Sequence, residues 1–575
     1  MVWIMLTKLT IRNFKLFDEA QLELGDRVVL IGPNNAGKTT ALQALALWDV
    51  GVRRWIERRG TGQIPKKKRS GVTINRKDLL GVPVPTANLL WRGLHTHSGK
   101  KIDGKQRTEK VLIDIIVEGA DWACGLEFYY ANEESFYCRP LRTDGDARMD
   151  VPEQVRNINI AYLPPMSGLA ATEDRLDPGA INVRLGEGRT AEVLRNLCHR
   201  VLTGEQGKER WQAIVERMQK LFGCTLNDPE YIAERGAIRM SYQDCNGITL
   251  DISTSGRGQQ QTLLLLAHMS ANPGAVLLLD EPDAHLEILR QRQIYQILSE
   301  IADETNSQII AASHSEVILN EAADRDILIA FVGKPHRIDD RGSQAVKALK
   351  EIGFEHYLQA EERGWVLYLE GSTDLAILLA LARKLDHPAK ELLESPYVHY
   401  VGNQPKKAQE HFYGLREAKP DLVGIAIYDR LDQDLPKDPN LKQRMWKKQE
   451  IENYLCRREV LKAYATAEGA RQMGEMFGGA WRTTMRETID DLEQALVTLD
   501  SPSPWSDDIK ASDEFLDKLF KKFFEKQKLP NLMTKTDYHR LAEYIKPNDI
   551  DDEIREVLDL IVETAEEAHP RSDDA

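Results

Sequence analysis

Alternating and continuous apolar segments indicate strands and helices in the first part of the chain. Residues 7–14 alternate polar and apolar side chains, which predicts an amphipathic strand. Continuous apolar runs, typical of strands buried on both faces of a parallel sheet, lie at residues 158–163, Arg27–Ile31, 275–279 and Gln308–Ala312. Helical patterns separate these runs at residues 39–47, 190–222 and 287–305. The alternation predicts an α/β domain.

The pattern restarts after about residue 345. Apolar runs at Trp365–Leu369, 397–401 and Val423–Tyr428 predict three strands, and residues 374–385 have an apolar helical pattern. Residues 455–545 favour helix over most of their length. Because strands again alternate with helices, we expect a second, separate parallel sheet.

Residues 50–110 interrupt the first pattern. They are rich in Gly, Lys and Arg and have weak periodicity, which predicts an insertion with long loops. The stretch between Lys38 and Gly256 contains no sustained heptads, and this argues against a long coiled-coil arm.

Composition excludes several classes of protein. The 575 residues are 42% hydrophobic and 29% charged, a profile typical of a globular protein rather than a disordered one. The most apolar run, at residues 262–267, is far shorter than a membrane-spanning helix requires, so we expect no membrane partner. None of the six cysteines forms a CxxC pair, and the start of the chain has no signal-peptide pattern. The expected location is the cytoplasm.

The net charge of −14 does not decide whether the chain binds nucleic acid. Residues 548–575 carry eleven acids and two bases, so this acidic tail accounts for most of the excess, and we expect it to be disordered or a single exposed helix. The remaining residues include basic stripes at 66–69, 447–448 and 518–528. A mildly acidic body can still present such local positive surfaces to a phosphate backbone.

A glycine-bearing turn after the strand Arg27–Ile31 has the pattern G-x-x-x-x-G-K-[ST] between a strand and a helix. In that context the backbone N–H groups converge on phosphate, and the helix dipole favours the negative charge. Lys38 is expected to reach the β- and γ-phosphates, and Thr39 to hold Mg²⁺. The predicted nucleotide-binding residues of this turn are Gly32, Asn34, Asn35, Ala36, Gly37, Lys38, Thr39 and Thr40.

Two acids end the buried strand at residues 275–279. Asp280 is expected to reach the Mg²⁺ shell beside the phosphate loop. Glu281, the next residue, is expected to polarise the attacking water and is our candidate catalytic base for ATP hydrolysis.

Further motifs resemble those of the ABC-type ATPases. The turn Ser255-Gly256-Arg257-Gly258-Gln259 opens an apolar helix and resembles the family signature, which completes the ATP site of a second head. His314 resembles the switch histidine that senses the γ-phosphate, and residues 283–287 resemble the D-loop. A Q-loop glutamine is absent after the strand at 158–163. The resemblance implies head-to-head dimerisation around ATP, with Ser255, Gly256, Gly258 and His314 contacting nucleotide.

A second set of acids follows the strands of the later pattern. Glu370 follows Trp365–Leu369, and Asp429 follows Val423–Tyr428. Acids at the carboxyl ends of adjacent parallel strands converge in one crevice, where oxygen ligands suit Mg²⁺ or Mn²⁺. Two such metals could flank one phosphate and support in-line displacement. The candidate ligands are Glu370, Asp374, Asp429, Asp432, Glu450 and Glu452.

These acids resemble the motifs of the TOPRIM fold, except that Leu431 breaks the usual D-x-D spacing. Asp432, or the pair Asp432 and Asp434, remains open as the replacement. An ABC-type head followed by TOPRIM is similar to the OLD (overcoming lysogenization defect) family of ATP-dependent nucleases. That resemblance implies Glu370, Asp429, Glu452 and a basic residue, for which Lys535 is our candidate, as catalytic groups.

The resemblance divides the chain into an ATPase head with a helical insertion, a TOPRIM α/β domain with helical C-terminal elements, and a tail. The expected boundaries are 1–345 for the head, with an insertion at about 50–110 and a helical dimerisation region at about 185–225, then 361–545 and 546–575. The implied activity is ATP-regulated, metal-dependent DNA cleavage with Mg²⁺ or Mn²⁺ at both sites. The implied context is antiphage defence, with DNA, self, and a retron nucleic acid or helicase-like subunit as partners.

Two alternatives remain open. A non-nucleolytic ATPase clamp, similar to RecF-like repair proteins, is favoured by the broken D-x-D spacing. Strand passage or primer synthesis, which other TOPRIM proteins perform, requires a nucleophilic tyrosine domain or a zinc-binding module that the sequence does not display.

Overall fold

The computed structural model describes residues 5–62, 70–79, 81–102, 105–143, 147–167, 169–170, 172–323, 325–338, 347, 350 and 352–571. Residues 1–346 and 347–572 form two separate compact units. The basic stripe at 66–69 lies outside the described residues.

The first unit begins with strands and continues with a mixture of helices and strands. Its strands are β1 (Leu6–Phe14), β2 (Phe17–Glu23), β3 (Arg27–Ile31), β4 (Val72–Asn75), β5 (His97–Ile102), β6 (Lys105–Lys110), β7 (Ile113–Gly119), β8 (Ala123–Asn132), β9 (Ser135–Pro140), β10 (Ile160–Leu163), β11 (Thr225–Leu226), β12 (Glu230–Ile232), β13 (Ala237–Arg239), β14 (Ser241–Gln243), β15 (Thr249–Asp251), β16 (Val276–Asp280), β17 (Gln308–Ala312), β18 (Ile327–Ala330) and β19 (His336–Arg337). Its helices are α1 (Lys38–Arg59), α2 (Pro178–Gly186), α3 (Leu194–Thr203), α4 (Gly207–Phe222), α5 (Arg257–Ala271), α6 (Ile288–Thr305) and α7 (Glu316–Ala322).

Two six-stranded sheets organise this unit. One is antiparallel, in the order β2-β1-β7-β8-β9-β4, and the other has the order β10-β16-β17-β3-β18-β19. All pairs of the second sheet are parallel except β18 with β19. The parallel sheet carries the phosphate loop at the end of β3 and Asp280 at the end of β16.

The continuous apolar runs are explained by two cores, one on each face of the parallel sheet. In β16, Leu278 joins the core that contains the antiparallel sheet, whereas Leu277 and Leu279 join the core of helices α3 to α6. Successive side chains of a strand point to opposite faces, so a strand covered on both faces must be apolar throughout. The expected α/β class is confirmed.

Three sequence predictions in this unit were wrong in detail. The helix expected to end near residue 47 continues to Arg59, and the predicted long loops contain two paired antiparallel strands, β5 and β6. The helix predicted over residues 190–222 is two helices, α3 and α4, separated at residues 204–206. Gly204 ends α3, and Gln206 adopts a left-handed backbone before α4 begins. The region is nevertheless mainly helical, and the apolar faces of α3 and α4 pack into the same core.

The second unit is built on a four-stranded parallel sheet with the order β21-β20-β22-β23. Its strands are β20 (Trp365–Leu369), β21 (Val398–Tyr400), β22 (Val423–Tyr428) and β23 (Leu441–Met445). Its helices are α8 (Phe354–Arg363), α9 (Ser372–Leu385), α10 (Ala389–Glu394), α11 (Pro405–Ala418), α12 (Arg458–Met473), α13 (Gly478–Thr498), α14 (Asp517–Lys526) and α15 (Asp552–Glu566).

The acidic C-terminal segment is not an exposed tail as far as Arg571. Residues 552–566 form α15, and four of its side chains, Ile554, Val557, Leu558 and Ile561, are fully buried in the core of the second unit. Their spacing places them on one helical face, while Glu556, Asp559, Glu563 and Glu566 are exposed. The prediction of disorder or an exposed helix was therefore wrong for this segment.

None of the described helices is both long enough and sufficiently apolar to span a bilayer.

Candidate functional site

The phosphate loop is shaped by residues with unusual backbone angles between β3 and α1. Gly32 has φ 151°, and a Cβ atom on it would lie 2.7 Å from the carbonyl oxygen of Phe331. Gly37 has φ 103° and immediately precedes Lys38, the first residue of α1. Only glycine meets both the steric and the backbone requirement at Gly32. The loop therefore places its backbone N–H groups next to the N-terminus of α1, an arrangement that binds phosphate.

Lys38 and Thr39 are the first two residues of α1 and have partners in the phosphate loop and at Asp280. The Lys38 ammonium donates to the carbonyl oxygens of Gly32 and Pro33 at 2.7 and 2.9 Å, so it is held across its own loop. Burial lowers the pKa of Lys38 to about 8, against the opposing charge of Asp280. The hydroxyl of Thr39 donates to Asp280 Oδ1 at 3.1 Å.

Asp280 is held from both sides at the end of β16. Its second oxygen accepts a hydrogen bond from the hydroxyl of Tyr162, at 3.2 Å. Burial raises the pKa of Asp280 above its ordinary value, although both hydrogen bonds oppose the shift. The two hydrogen bonds offset only part of the cost of burying this carboxylate. A carboxylate in that state beside a phosphate loop is suited to bind a divalent cation. Sequence reasoning did not identify Tyr162.

The side chains of Glu281 and His314 lie close to each other. His314 Nε2 lies 3.8 Å from Glu281 Oε1, and the backbone of Glu281 is left-handed with φ 51°. The Glu281 amide donates to the carbonyl of Ala312, which fixes this uncommon conformation to β17. Burial, followed by the charge of Lys38, lowers the pKa of His314.

These side chains line one cavity of about 250 Å³. Its lining consists of Leu16, Asn34, Asn35, Ala36, Gly37, Lys38, Thr39, Thr40, Asp280, Glu281 and His314. The signature residues Ser255, Gly256 and Gly258 are not part of that lining. They precede or open α5, with Gly256 as its N-cap, and Gly258 packs near the backbone of His285 in the predicted D-loop.

In the second unit, Glu370 and Asp429 come together at the carboxyl ends of β20 and β22. The side-chain amide of Asn403 donates to Glu370 Oε2 at 2.8 Å and to Asp429 Oδ2 at 3.0 Å. Asn403 also accepts the backbone N–H of Asp429 through Oδ1, at 2.9 Å. The predicted convergence of the two strand-end acids is thus present, and Asn403, which follows the third strand β21, connects them.

Asp374 lies beside this pair but has a structural partner of its own. Its Oδ2 accepts the backbone N–H groups of Glu370 and Gly371 at 3.1 and 3.4 Å, which caps the start of α9. Burial and then the charge of Glu370 raise its pKa to about 6. Asp374 therefore adds negative charge to the crevice while it holds the backbone of Glu370.

Glu450 and Glu452 complete the acidic cluster from the segment after β23. Glu450 accepts hydrogen bonds from the backbone N–H and the hydroxyl of Ser512. Glu452 is buried, and its Oε1 has no hydrogen-bond partner among the described residues. Burial, then the charges of Glu450 and Asp374, raises the pKa of Glu452 to about 8.

Two lysines border the acids. The Lys535 ammonium lies 3.4 Å from the Ser512 hydroxyl; burial lowers its pKa, but the charges of Glu452, Glu450 and Asp513 outweigh this and raise it. Lys510 pairs with Asp513 at 3.0 Å, and this contact raises its pKa, as do the charges of Glu450 and Glu370. Lys535 was predicted, whereas Lys510 was not.

Asp432 does not join the cluster. It is exposed, as is Asp434, and neither forms a hydrogen bond or ion pair with the described part of the chain. No acid in the described loop after Asp429 replaces the missing D-x-D position. The residues that occupy the crevice instead are the amide of Asn403 and the acids Asp374 and Glu452.

The donor set fits a divalent cation bound through oxygen. The pKa of Asp429 is raised to about 9 by burial and by the hydrogen bond and charge of Glu370, so the acids repel one another. Among the residues that the structure describes, Glu452 Oε1 has no hydrogen-bond partner, and burial in that state is costly unless a cation binds. Hard oxygen ligands of this kind suit Mg²⁺ or Mn²⁺.

The first unit is thus defined as a phosphate-loop ATPase domain and the second as a parallel α/β domain with an acidic crevice. Two family descriptions match the first unit: "AAA ATPase domain" over residues 5–48, and "AAA domain, putative AbiEii toxin, Type IV TA system" over residues 227–320. The two segments contain the phosphate loop and the strand that ends at Asp280.

The chain is similar to a protein named OLD nuclease from Thermus scotoductus, with 24% identity over 335 residues. The match covers 54% of this chain and 59% of that protein's length. The oligopeptide transport ATP-binding protein AppD from Bacillus subtilis is 27% identical over 77 residues, 13% of this chain and 23% of that protein. The SMC head domain from Thermotoga maritima superposes with a TM-score of 0.30 at 15% identity, over 58% of this chain and 98% of the head.

The expected resemblance to the OLD family is confirmed by the first of these relatives. Together with the AAA matches it shows what the chain is similar to: an OLD nuclease over about half of its length, and AAA ATPase domains within the first unit. The TOPRIM assignment and the roles of individual residues stay predictions.

Proposed function

We propose that this protein is an ATP-regulated, divalent-metal-dependent DNA endonuclease of the OLD type, with a TOPRIM-like cutting site in its second unit. The observation that carries the proposal is the joint contact of Asn403 with Glu370 and Asp429 at the carboxyl ends of two parallel strands. The similarity to a protein named OLD nuclease supports the same class of activity.

The cutting site would hold Mg²⁺ or Mn²⁺ through carboxylate oxygens. Glu370, Asp429, Glu450 and Glu452 are the proposed ligands, and Asp374 contributes charge while it fixes the Glu370 backbone. When bound, the cation neutralises phosphate charge and supplies a metal-bound water at neutral pH. Asn403 would hold the two central carboxylates at fixed positions, which is the role that outer partners play at metal sites.

Lys535 is proposed to act on the phosphate rather than on the metal. Its ammonium stays protonated because neighbouring acids raise its pKa. A fixed positive charge beside a phosphodiester stabilises the charge that develops on the phosphate oxygens and the leaving oxygen. The contact to the Ser512 hydroxyl holds Lys535 toward Glu450, whose carboxylate the same hydroxyl contacts.

The ATPase site would control this cutting. Lys38 and the loop amides are proposed to bind the phosphates, with Thr39 and Asp280 holding Mg²⁺. Glu281 would accept a proton from the attacking water, and His314, whose Nε2 lies 3.8 Å from Glu281 Oε1, would respond to the γ-phosphate. Ser255, Gly256 and Gly258, which lie outside the cavity of their own head, are proposed to complete the site of a second head.

The biological setting is proposed from resemblance alone. OLD-type proteins of this layout suggest bacterial antiphage defence, with a regulatory partner such as a retron nucleic acid or a helicase-like subunit. The expected cytoplasmic location fits that role.

The test is cleavage of supercoiled plasmid with Mg²⁺ or Mn²⁺, in the presence and absence of ATP. We expect the unmodified protein to nick the plasmid, Glu370→Ala to be inactive, and Lys38→Ala to lose the response to ATP. Asp432→Asn, at an exposed acid outside the cluster, is the matched control and should cut normally. Nicking that survives Glu370→Ala would exclude the assigned site.

A non-nucleolytic clamp of RecF-like type is the second candidate, and the exposure of Asp432 favours it because the D-x-D motif is incomplete. Under that hypothesis the protein binds DNA with ATP-dependent affinity but cuts it under none of these conditions. Gel-shift measurements on the same samples distinguish the two.

A further inference from the structure

Three histidines that are far apart in the sequence meet on one side of the parallel sheet in the second unit. His356 belongs to α8, His399 to β21 and His411 to α11. One ring nitrogen of each histidine lies within 4.8 Å of a ring nitrogen of each of the other two. The rings of His399 and His411 stack at 3.8 Å with an angle of 7°, and His356 packs edge-on against both.

Tyrosine hydroxyls orient two of these rings through Nδ1. The hydroxyl of Tyr368 lies 2.9 Å from Nδ1 of His411, and that of Tyr397 lies 3.2 Å from Nδ1 of His356. A metal-binding histidine characteristically donates its other ring N–H to a neighbouring acceptor, which fixes the ring and its tautomer. The Nε2 atom of His411 is buried and has no hydrogen-bond partner among the described residues, and it offers a lone pair to a metal when Nδ1 carries the ring proton.

We propose that His356, His399 and His411 bind one Zn²⁺ ion, with the fourth position of the tetrahedron taken by water. Three imidazoles and no carboxylate select a borderline-soft ion such as zinc over Mg²⁺, which prefers oxygen. Zinc–nitrogen distances of about 2.0–2.1 Å place the nitrogens of a tetrahedral site about 3.4 Å apart. Because the separations are all within 4.8 Å and the rings of His399 and His411 are stacked, coordination of one ion would require the rings to rotate.

The zinc ion would restrict the motion of the turn that contains Asn403. His399 lies in β21 and His411 in α11, so the two ligands flank the turn of residues 401–404 in which Asn403 contacts Glu370 and Asp429. A metal bridge across the two elements limits the motion of that turn. The metal-binding part of the proposal stands independently of the cutting activity, whereas this positioning role rests on the proposed function.

The test measures metal bound to the full-length protein. The chain is stripped with EDTA, incubated with ZnCl₂ in excess Mg²⁺ to saturate the acidic crevice, desalted, and analysed for zinc by mass spectrometry. We expect one Zn²⁺ retained per chain in the unmodified protein and in Glu370→Gln. His411→Asn and His356→Asn should fall to background, whereas His95→Asn, at an exposed histidine of the first unit, should not.

Cobalt provides a second readout that does not depend on activity. Co²⁺ added to the stripped protein should give the visible absorption of a four-coordinate site, and this band should vanish in His411→Asn. Circular dichroism of the metal-free variants verifies folding, and His356→Asn keeps the test valid if His411→Asn does not fold. Zinc retained equally in both histidine variants, zinc lost with Glu370→Gln, or no zinc above background in the unmodified protein would each overturn the proposal.

Discussion

The carboxylates of Glu370 and Asp429 accept hydrogen bonds from the same amide nitrogen, at 2.8 and 3.0 Å. That nitrogen belongs to Asn403, whose backbone is left-handed with φ 55°. The two acids follow different strands, so the shared donor fixes the distance between them. Their mutual repulsion remains, and it is relieved either by a proton or by a cation.

Asn403→Ala should weaken divalent-metal binding at this crevice by about 10–100-fold, the usual cost of removing an outer partner of metal ligands. The physical reason is that both carboxylates lose the donor that holds them. Calorimetric titration with Mn²⁺ measures the effect. Gln404→Ala, at the exposed neighbouring position, is the control and should bind normally. Equal affinities in the two variants would contradict a positioning role for Asn403.

The metal-free protein should lose stability as the pH rises toward about 9. Burial and Glu370 raise the pKa of Asp429 from 3.8 to about 9, so between these values the unfolded chain has released a proton that the folded chain retains. Unfolding then releases a proton and becomes easier at higher pH. A divalent cation replaces the proton, so its stabilising effect should grow over the same range. Thermal unfolding in EDTA and in Mg²⁺, from about pH 6 to pH 9, tests both trends.

Glu370→Gln separates this effect from general alkaline destabilisation. The substitution removes one charge from the crevice, so the metal-free variant should be more stable than the unmodified protein at pH 8 and its pH slope should be flatter. It should also gain little stability from Mg²⁺. Asp432→Asn removes one exposed charge outside the crevice and should retain the original slope.

The main elements of both sites could be predicted because their chemistry is encoded locally. The phosphate loop is a continuous motif between a strand and a helix, and Gly32 and Gly37 have the backbone angles that the motif demands. Glu370 and Asp429 each follow an apolar strand, and parallel strands bring their carboxyl ends to one edge of the sheet. These two predictions needed only the periodicity of the flanking residues.

The groups that sequence reasoning missed depend on contacts between distant segments. Asn403 follows a strand of only three residues. Nothing in the neighbouring sequence indicates that its side-chain amide contacts Glu370 and Asp429, which are distant in the chain. Lys510 reaches the acids through a segment that follows α13. The helix α15 was misjudged for another reason, because its many acids obscured an apolar face with helical spacing.

In the nucleotide site, Lys38→Ala and Glu281→Gln should separate binding from hydrolysis. Loss of the Lys38 ammonium removes a direct phosphate contact, so ATP binding should be weakened. Glu281→Gln retains the shape of the side chain but not the base, so ATP should still bind while turnover falls about 10²–10⁴-fold. Fluorescent-nucleotide binding and phosphate release measure the two effects. A Glu281→Gln variant with normal turnover would remove Glu281 as the base.

Substitution within α15 should destabilise the second unit. Leu558 is fully buried, so Leu558→Ala should lower the free energy of unfolding by about 2–5 kcal/mol. Glu563→Ala, on the exposed face of the same helix, should change it by less than about 0.5 kcal/mol. Urea denaturation followed by circular dichroism compares the two. Equal stabilities would mean that α15 does not pack on the core in solution.

Lys535→Ala should abolish DNA nicking while leaving divalent-metal binding intact. The ammonium contacts the Ser512 hydroxyl, and its pKa, which burial lowers, is raised by Glu452 and Glu450, so it remains positively charged beside the acids. Its removal takes a positive charge from the phosphate oxygens in the transition state but removes no oxygen ligand. Plasmid nicking and Mn²⁺ calorimetry on the same preparation separate the two effects, with the exposed Lys521→Ala as control. Normal nicking by Lys535→Ala would show that the charge acts only to balance the acidic cluster.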